Sequence, residues 1–225
     1  ADYTKAIEID PNDAAAYYNR GNAKFEMCDT SGAIADYTKA IEIDPSNTGA
    51  YTNRGDAKIE MGDISGAISD YTNAIKIDPD NAIAYCNRGF AKDEIGNNFG
   101  AIADYTKAIE IDPNDVAAYY NRGNAKLEMC DTSGAIADYT DAIKIDPNYA
   151  HAYCNRGNAK LEMCDTSGAI SDYTNAIKID PDYVAAYTNR GLAKVDMGDT
   201  SGAIADWTKV IEIDPNDVAA YYNRG

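Results

Sequence analysis

The sequence predicts an all-α solenoid built from 34-residue helix–turn–helix repeats, and three observations carry that prediction. Proline stands at Pro11, Pro45, Pro79, Pro113, Pro147, Pro181 and Pro215, always 34 residues apart. The triplet Asn-Arg-Gly recurs in step from Asn19-Arg20-Gly21 to Asn223-Arg224-Gly225, and Gly-Ala-Ile recurs from Gly32-Ala33-Ile34 in five later copies. No insertion or deletion breaks the phase. A fixed period of roughly 20–50 residues marks a stack of like units, each touching only its neighbours.

Each element of the unit has a local cause. Asn12 and Asp13 offer N-cap oxygens for a first helix, helix A, from about Ala14 to Met27. It carries Ala16, Tyr17, Ala23 and Met27 on one side. Asp29-Thr30-Ser31-Gly32 reads as a turn leading into a second helix, helix B, over 33–43. There Ala33, Ile34, Tyr37, Ala40 and Ile41 recur at helical spacing. Asp44-Pro45 ends it, because the residue before proline avoids the α region. Neither helix can bury its apolar face alone, and stacking hairpins supplies the missing partner. Gly21, Ala23, Ala33 and Ala40 mark close approach of the backbones.

The period makes 1–225 one continuous array. Residues 1–13 hold helix B only, 14–47, 48–81, 82–115, 116–149, 150–183 and 184–217 are full repeats, and 218–225 hold helix A only. A longer period is nested inside it. Residues 1–24 and 103–126 differ only at Ala14 versus Val116, and Ser69/Ser171, Asn73/Asn175 and Lys76/Lys178 match at a spacing of 102.

Charge and inventory narrow the function. A net charge of -17 disfavours phosphate backbones and anionic membranes and fits a solvated acidic surface or a basic partner. No apolar run is long enough to span a bilayer. Five cysteines without a Cys-x-x-Cys pair form neither a disulfide framework nor a metal pattern. Free thiols in a reducing compartment, by default the cytoplasm, are the simplest reading. Ala1 is not a natural start, so a missing leader carries no weight. A single histidine, His151, leaves no metal cluster and no catalytic dyad. The glycines are spread at fixed period rather than gathered into a phosphate loop. Asp10-Pro11-Asn12-Asp13 lacks a calcium-loop ligand pattern and reads as helix capping. The expectation is a non-enzymatic protein with no cofactor, no metal and no nucleic acid or membrane partner.

The pattern Tyr17-x-Asn19-x-Gly21-Asn22-Ala23, then Asp29, Ala33-Ile34, Tyr37, Ala40-Ile41 and Asp44-Pro45, resembles the tetratricopeptide repeat over the whole chain. The resemblance implies a right-handed superhelix of helix pairs that binds peptides or partner subunits. Helix A would line its concave groove and helix B its convex face.

Four departures from the family pattern stand out. Arg20, Arg54, Arg88, Arg122, Arg156, Arg190 and Arg224 replace the family's usual leucine. An arginine at a packing position needs a carboxylate, and Asp36, Asp70, Asp104, Asp138, Asp172 and Asp206 recur at the same period. An Arg–Asp ladder along the stack is therefore expected. Cys28, Cys130 and Cys164 replace the helix-ending glycine seen at Gly62 and Gly198, whereas Cys86 and Cys154 are expected to face the groove. Glycine at 32, 66, 100, 134, 168 and 202 reads as a relaxed start of helix B, or as a convex surface left bare for another chain. In the third repeat, Phe90 replaces a groove-side asparagine and Asp93 an apolar residue.

By the resemblance, the groove is lined by Tyr18, Asn22 and Glu26, then Thr52, Asp56 and Glu60, then Phe90, Asp93 and Glu94. Tyr120, Asn124 and Glu128, then Asn158 and Glu162, then Leu192 and Asp196 continue it. The recurrent acid forms a negative stripe, and asparagines on its shoulder can bond a peptide backbone. The family's clamp for a C-terminal carboxylate needs Lys or Arg in the groove, and these positions are neutral or acidic. Two functions follow. One is a scaffold, cut from a longer array because both ends fall within helices, whose copies stack end to end into an extended assembly. The other is a discrete module that holds a basic or polar extended peptide in its groove.

Overall fold

The computed structural model describes residues 2–225 and contains fourteen α-helices and no strand among them. They form two compact units. The first contains α1 (Asp2–Ile9), α2 (Ala14–Glu26), α3 (Thr30–Ile43), α4 (Thr48–Glu60), α5 (Ile64–Ile77), α6 (Ala82–Glu94) and α7 (Asn98–Ile111). The second contains α8 (Val116–Glu128), α9 (Thr132–Ile145), α10 (Ala150–Glu162), α11 (Thr166–Ile179), α12 (Val184–Asp196), α13 (Thr200–Ile213) and α14 (Val218–Arg224). Within each unit every helix packs against the next, giving an all-α solenoid of helix–turn–helix repeats. The A helices also touch one another, α2 with α4, α4 with α6, and α10 with α12, and no two B helices pack as closely. The A row therefore lines the inner side of each stack.

Caps set the helix ends. Asp13 Oδ1 accepts from the Ala16 amide at 3.0 Å and opens α2. Asp29 Oδ1 accepts from the Gly32 amide at 3.0 Å, so helix B begins at Thr30 and not at the expected residue 33. The Asp29-Thr30-Ser31-Gly32 segment is a cap and first helical turn rather than a free turn. This capping also explains the periodic glycine. A Cβ at Gly32 would fall within bonding range of Asp29 Oδ2, so the position is kept bare for the capping carboxylate. The glycine thus has a local reason beside the expected relaxed helix start and bare convex surface. At the other end, Asp44 takes φ −124 and ψ 91, an extended conformation that stops α3 before Pro45.

Helix A closes on a left-handed residue. Gly62, Gly96 and Gly198 take φ between 73 and 79, and Cys28, Cys130 and Cys164 take φ of 60 to 61. The left-handed region costs a residue bearing a Cβ about 1–2 kcal/mol. The amide of Asp29 bonds back to Lys24 O at 2.9 Å across this turn.

The core is made of alanine and tyrosine. Ala33, Ala40, Ala57, Ala67 and Ala74 are fully buried, as are the rings of Tyr37, Tyr71, Tyr105, Tyr139 and Tyr173. Each ring lies across the periodic glycine of helix A, and a Cβ on Gly21 would sit 2.7 Å from Tyr37 Cε1. Glycine here admits the ring between two helices of one hairpin.

Candidate functional site

The periodic arginines lie between the helices of their own hairpins. Arg20 Nε donates to Asp36 Oδ2 at 2.8 Å and Nη2 to Oδ1 at 2.7 Å, a bidentate pair. Arg54–Asp70, Arg88–Asp104, Arg122–Asp138, Arg156–Asp172 and Arg190–Asp206 repeat it at 2.6–2.7 Å. A third member is not legible in the sequence. Lys24, Lys58, Lys92, Lys126, Lys160 and Lys194 each meet the second oxygen of the same aspartate at 2.7–2.8 Å. The arginine also stacks on the tyrosine three residues before it, with Arg20 5.5 Å from the Tyr17 ring centroid. Its Nη1 reaches the preceding B helix, as Arg54 to Thr38 Oγ1 at 3.0 Å. These contacts commit the guanidinium to the fold. Burial alone would raise the Asp36 carboxyl, but hydrogen bonds from Arg20 and Lys24 hold it below its ordinary range. The same bond raises Arg20.

A second periodic arrangement forms the floor of the inner face. Tyr37 donates to Asn22 Oδ1 at 2.9 Å, and Asn53 of the next repeat donates to the same oxygen at 2.9 Å. Tyr139 and Asn155 converge likewise on Asn124, at 2.7 and 3.0 Å, and Tyr173 and Asn189 on Asn158, at 2.8 and 2.9 Å. Each clasp ties a B helix and two A helices through one acceptor. The shoulder asparagines, expected to serve a peptide backbone, thus have their carbonyl oxygens already engaged. The recurrence of Asn19, Asn22 and Tyr37 was the available signal for this clasp. In the third and sixth repeats the acceptor is replaced by Phe90 and Leu192, both exposed, and the buried Tyr105 hydroxyl and Trp207 Nε1 have no hydrogen-bond partner among the described residues.

In the second repeat the acceptor is a carboxylate. Asp56 Oδ1 takes the Tyr71 hydroxyl at 2.7 Å and Asn87 Nδ2 at 2.8 Å. Burial pushes this carboxyl above its usual value, and the two bonds offset part of that rise. Asp56 borders two clefts. One, of about 240 Å³, is lined by Asn22, Phe25, Glu26, Tyr37, Asn53 and Asp56. The other, of about 250 Å³, is lined by Tyr18, Thr48, Gly49, Thr52, Asn53, Asp56, Asn81 and Ile83.

The recurrent acids Glu26, Glu60, Glu94, Glu128, Glu162 and Asp196 are exposed at the ends of their A helices. Glu60 and Glu162 accept from Thr30 and Thr132 of the preceding repeat at 3.1 Å. Asp93 is half-buried, and Thr52 is buried with its hydroxyl on Thr48 O at 3.0 Å. Cys86 and Cys154, expected to face the groove, are buried instead. Burial raises the Cys154 thiol, with a weaker opposing hydrogen bond from Tyr183.

In the second unit, Tyr149 and Tyr183 occupy N-cap positions and make no capping bond. Their rings join Tyr120 and the exposed His151 in a run of contacts, with centroid distances of 5.0 Å for Tyr120–Tyr149, 6.0 Å for Tyr149–His151 and 5.1 Å for His151–Tyr183. No group of three or more His, Cys, Asp or Glu among the described residues has metal-binding geometry. No helix among the described residues is long and apolar enough to cross a membrane.

Known families and structures resemble this arrangement. Residues 14–47 match the family described as "Tetratricopeptide repeat". Residues 55–96, 94–129, 131–163, 165–198 and 193–225 match that described as "TPR repeat". Among solved structures, the MamA protein is 30% identical, with a TM-score of 0.69, over 76% of this chain and 94% of that one. YrrB, described as a TPR protein with an unusual peptide-binding site, is 25% identical, with a TM-score of 0.69, over 83% and 96%. PilF of Pseudomonas aeruginosa shares the fold at 17% identity and a TM-score of 0.80, over 93% and 95%. No curated protein sequence gives a significant match.

Proposed function

The chain belongs to the tetratricopeptide repeat family, and from that membership we propose that the inner row of A helices holds an extended, basic segment of a partner protein. The coarser role, a protein–protein interaction scaffold of helical repeats, goes with the family. The finer reading rests on one observation. The inner face presents an exposed acid at the end of each complete A helix, while the neighbouring Arg and Lys side chains are consumed by Asp36 and its counterparts. The net charge of -17 favours the same partner. The peptide-binding site named for YrrB supports a peptide as the form of the ligand. We read the chain as non-catalytic, since the titratable groups of the inner face serve its hydrogen-bonded floor or stand one to a helix at the ends of the A helices.

Fluorescence anisotropy with matched basic and acidic peptides tests this reading. Basic peptides should bind more tightly, and raising salt from about 50 to 500 mM should weaken them markedly, since screening acts on exposed charges. A preference for acidic peptides would sink it.

End-to-end association of copies is the second reading. The segment Val-Ala-Ala-Tyr-Tyr-Asn-Arg-Gly occurs at both 116–123 and 218–225. Light scattering that gave a monomer at every concentration would remove it.

A further inference from the structure

The aspartates of this fold divide into two kinds. Every buried aspartate on a B helix meets one arginine and one lysine, so its charge is compensated twice. Asp56 on α4 is half-buried and has no cation of the described residues within ion-pair distance. Both of its protein bonds converge on Oδ1. A carboxylate withdrawn from water without a countercharge is costly, and a partner cation at Oδ2 relieves that cost.

Its surroundings suit such a cation. The cleft of about 240 Å³ beside Asp56 has a second carboxylate, Glu26, and two rings, Phe25 and Tyr37, and its lining holds no positive residue. Ligand pockets for drug-sized molecules run about 300–1,000 Å³, so this cleft is matched to a single long side chain. The half-buried Phe25 ring covers an aliphatic stem and attracts a cation, and the carboxylates meet the charged head.

We propose that the cleft between α2 and α4 is a subsite for one lysine or arginine side chain of the bound peptide, with Asp56 as its specificity-determining residue. The subsite rests on the reading of the inner face as a holder of basic peptides and adds to it a fixed register. The chain provides its own control. Asn158 stands at the equivalent place and accepts Tyr173 and Asn189 at 2.8 and 2.9 Å, so Asp56→Asn keeps both floor bonds and removes only the charge.

The experiment is a double-mutant cycle on the full chain. One arm is the wild type against Asp56→Asn. The other is a lysine-containing peptide against versions with each lysine replaced in turn by glutamine, with affinities read by anisotropy. Circular dichroism checks that the variant is folded. At one peptide position the lysine-to-glutamine change should weaken wild-type binding about tenfold and leave binding to Asp56→Asn nearly unchanged. If the peptide binds but no position couples to Asp56, the subsite is overturned and the groove reading stands. If no basic peptide binds the wild type, the groove reading falls and the subsite falls with it.

Discussion

The Tyr71 hydroxyl donates to Asp56 Oδ1 at 2.7 Å, whereas the hydroxyl of Tyr105, one repeat later, is buried beside the Phe90 position and meets no acceptor among the described residues. The same side chain should therefore respond oppositely to loss of its oxygen. Hydrogen bonds to charged groups contribute about 1.5–3 kcal/mol, and an unpaired buried hydroxyl costs about 1–3 kcal/mol. Tyr71→Phe should lower thermal stability, and Tyr105→Phe should leave it unchanged or raise it. Equal losses in paired melting curves would contradict the assignment.

Asp56 gives a pH signature. Its carboxyl is raised in the folded state, mainly by burial. A raised carboxyl favours the fold below the unfolded pKa, about 4, and that advantage is lost as pH rises through the folded value. Asp56→Asn should therefore be more stable than wild type at pH 7 and about equal to it at pH 3. A gain independent of pH would show that the charge is not the cause.

Asp36 should behave in the opposite sense. Its carboxyl is lowered by Arg20 and Lys24, which outweigh burial. A lowered carboxyl contributes stability above the unfolded pKa, about 4, that is lost as pH falls through the folded value. Asp36→Asn leaves two cations facing each other. Breaking a buried pair costs about 3–5 kcal/mol, and the partial exposure of Arg20 and Lys24 places the loss nearer 2 kcal/mol. The deficit should be present at pH 7 and shrink below about pH 4, as read by urea midpoints.

The first turn of helix B offers a test by non-additivity. Glycine to alanine inside a helix normally stabilises by about 1 kcal/mol. At Gly66 the new Cβ would collide with the Asp63 carboxylate that caps α5. Gly66→Ala should stabilise the wild type less than it stabilises a chain already carrying Asp63→Ala, because in the wild type the capping carboxylate must turn aside. Additive effects in the four-way comparison would rule out the collision.

Much of this was legible in the residues. The period, the proline stops and the cap-forming Asp13 are local signals, and local signals survive folding unchanged. The start of helix B is not legible, because Asp29, Thr30 and Gly32 are turn formers by composition, and only the Asp29–Gly32 bond reveals them as a helical cap. Lys24 is not legible as a partner, because a lysine near a helix end reads as a solvated charge, and its aspartate lies twelve residues away on another helix. Asp56 looked like one more acid of the stripe. What sets it apart is the absence of a cation in its surroundings, and that depends on the three-dimensional neighbours of Tyr71 and Asn87 rather than on any spacing.

The shared acceptors also bear on how the stack comes apart. In a chain of repeats, stability divides into terms within a unit and couplings between nearest neighbours. Asn124 and Asn158 each bind a donor from the following repeat, so α8 is joined to α10 and α10 to α12 by a polar link that is lost when either repeat moves off the other. Leu192 provides no such link from α12 to α14, and Trp207 Nε1 is left without an acceptor. The repeat boundary after α13 therefore lacks the polar link that the two boundaries before it carry, while Arg190 and Lys194 still hold α12 to α13, and amide exchange in the second unit should be faster across that boundary.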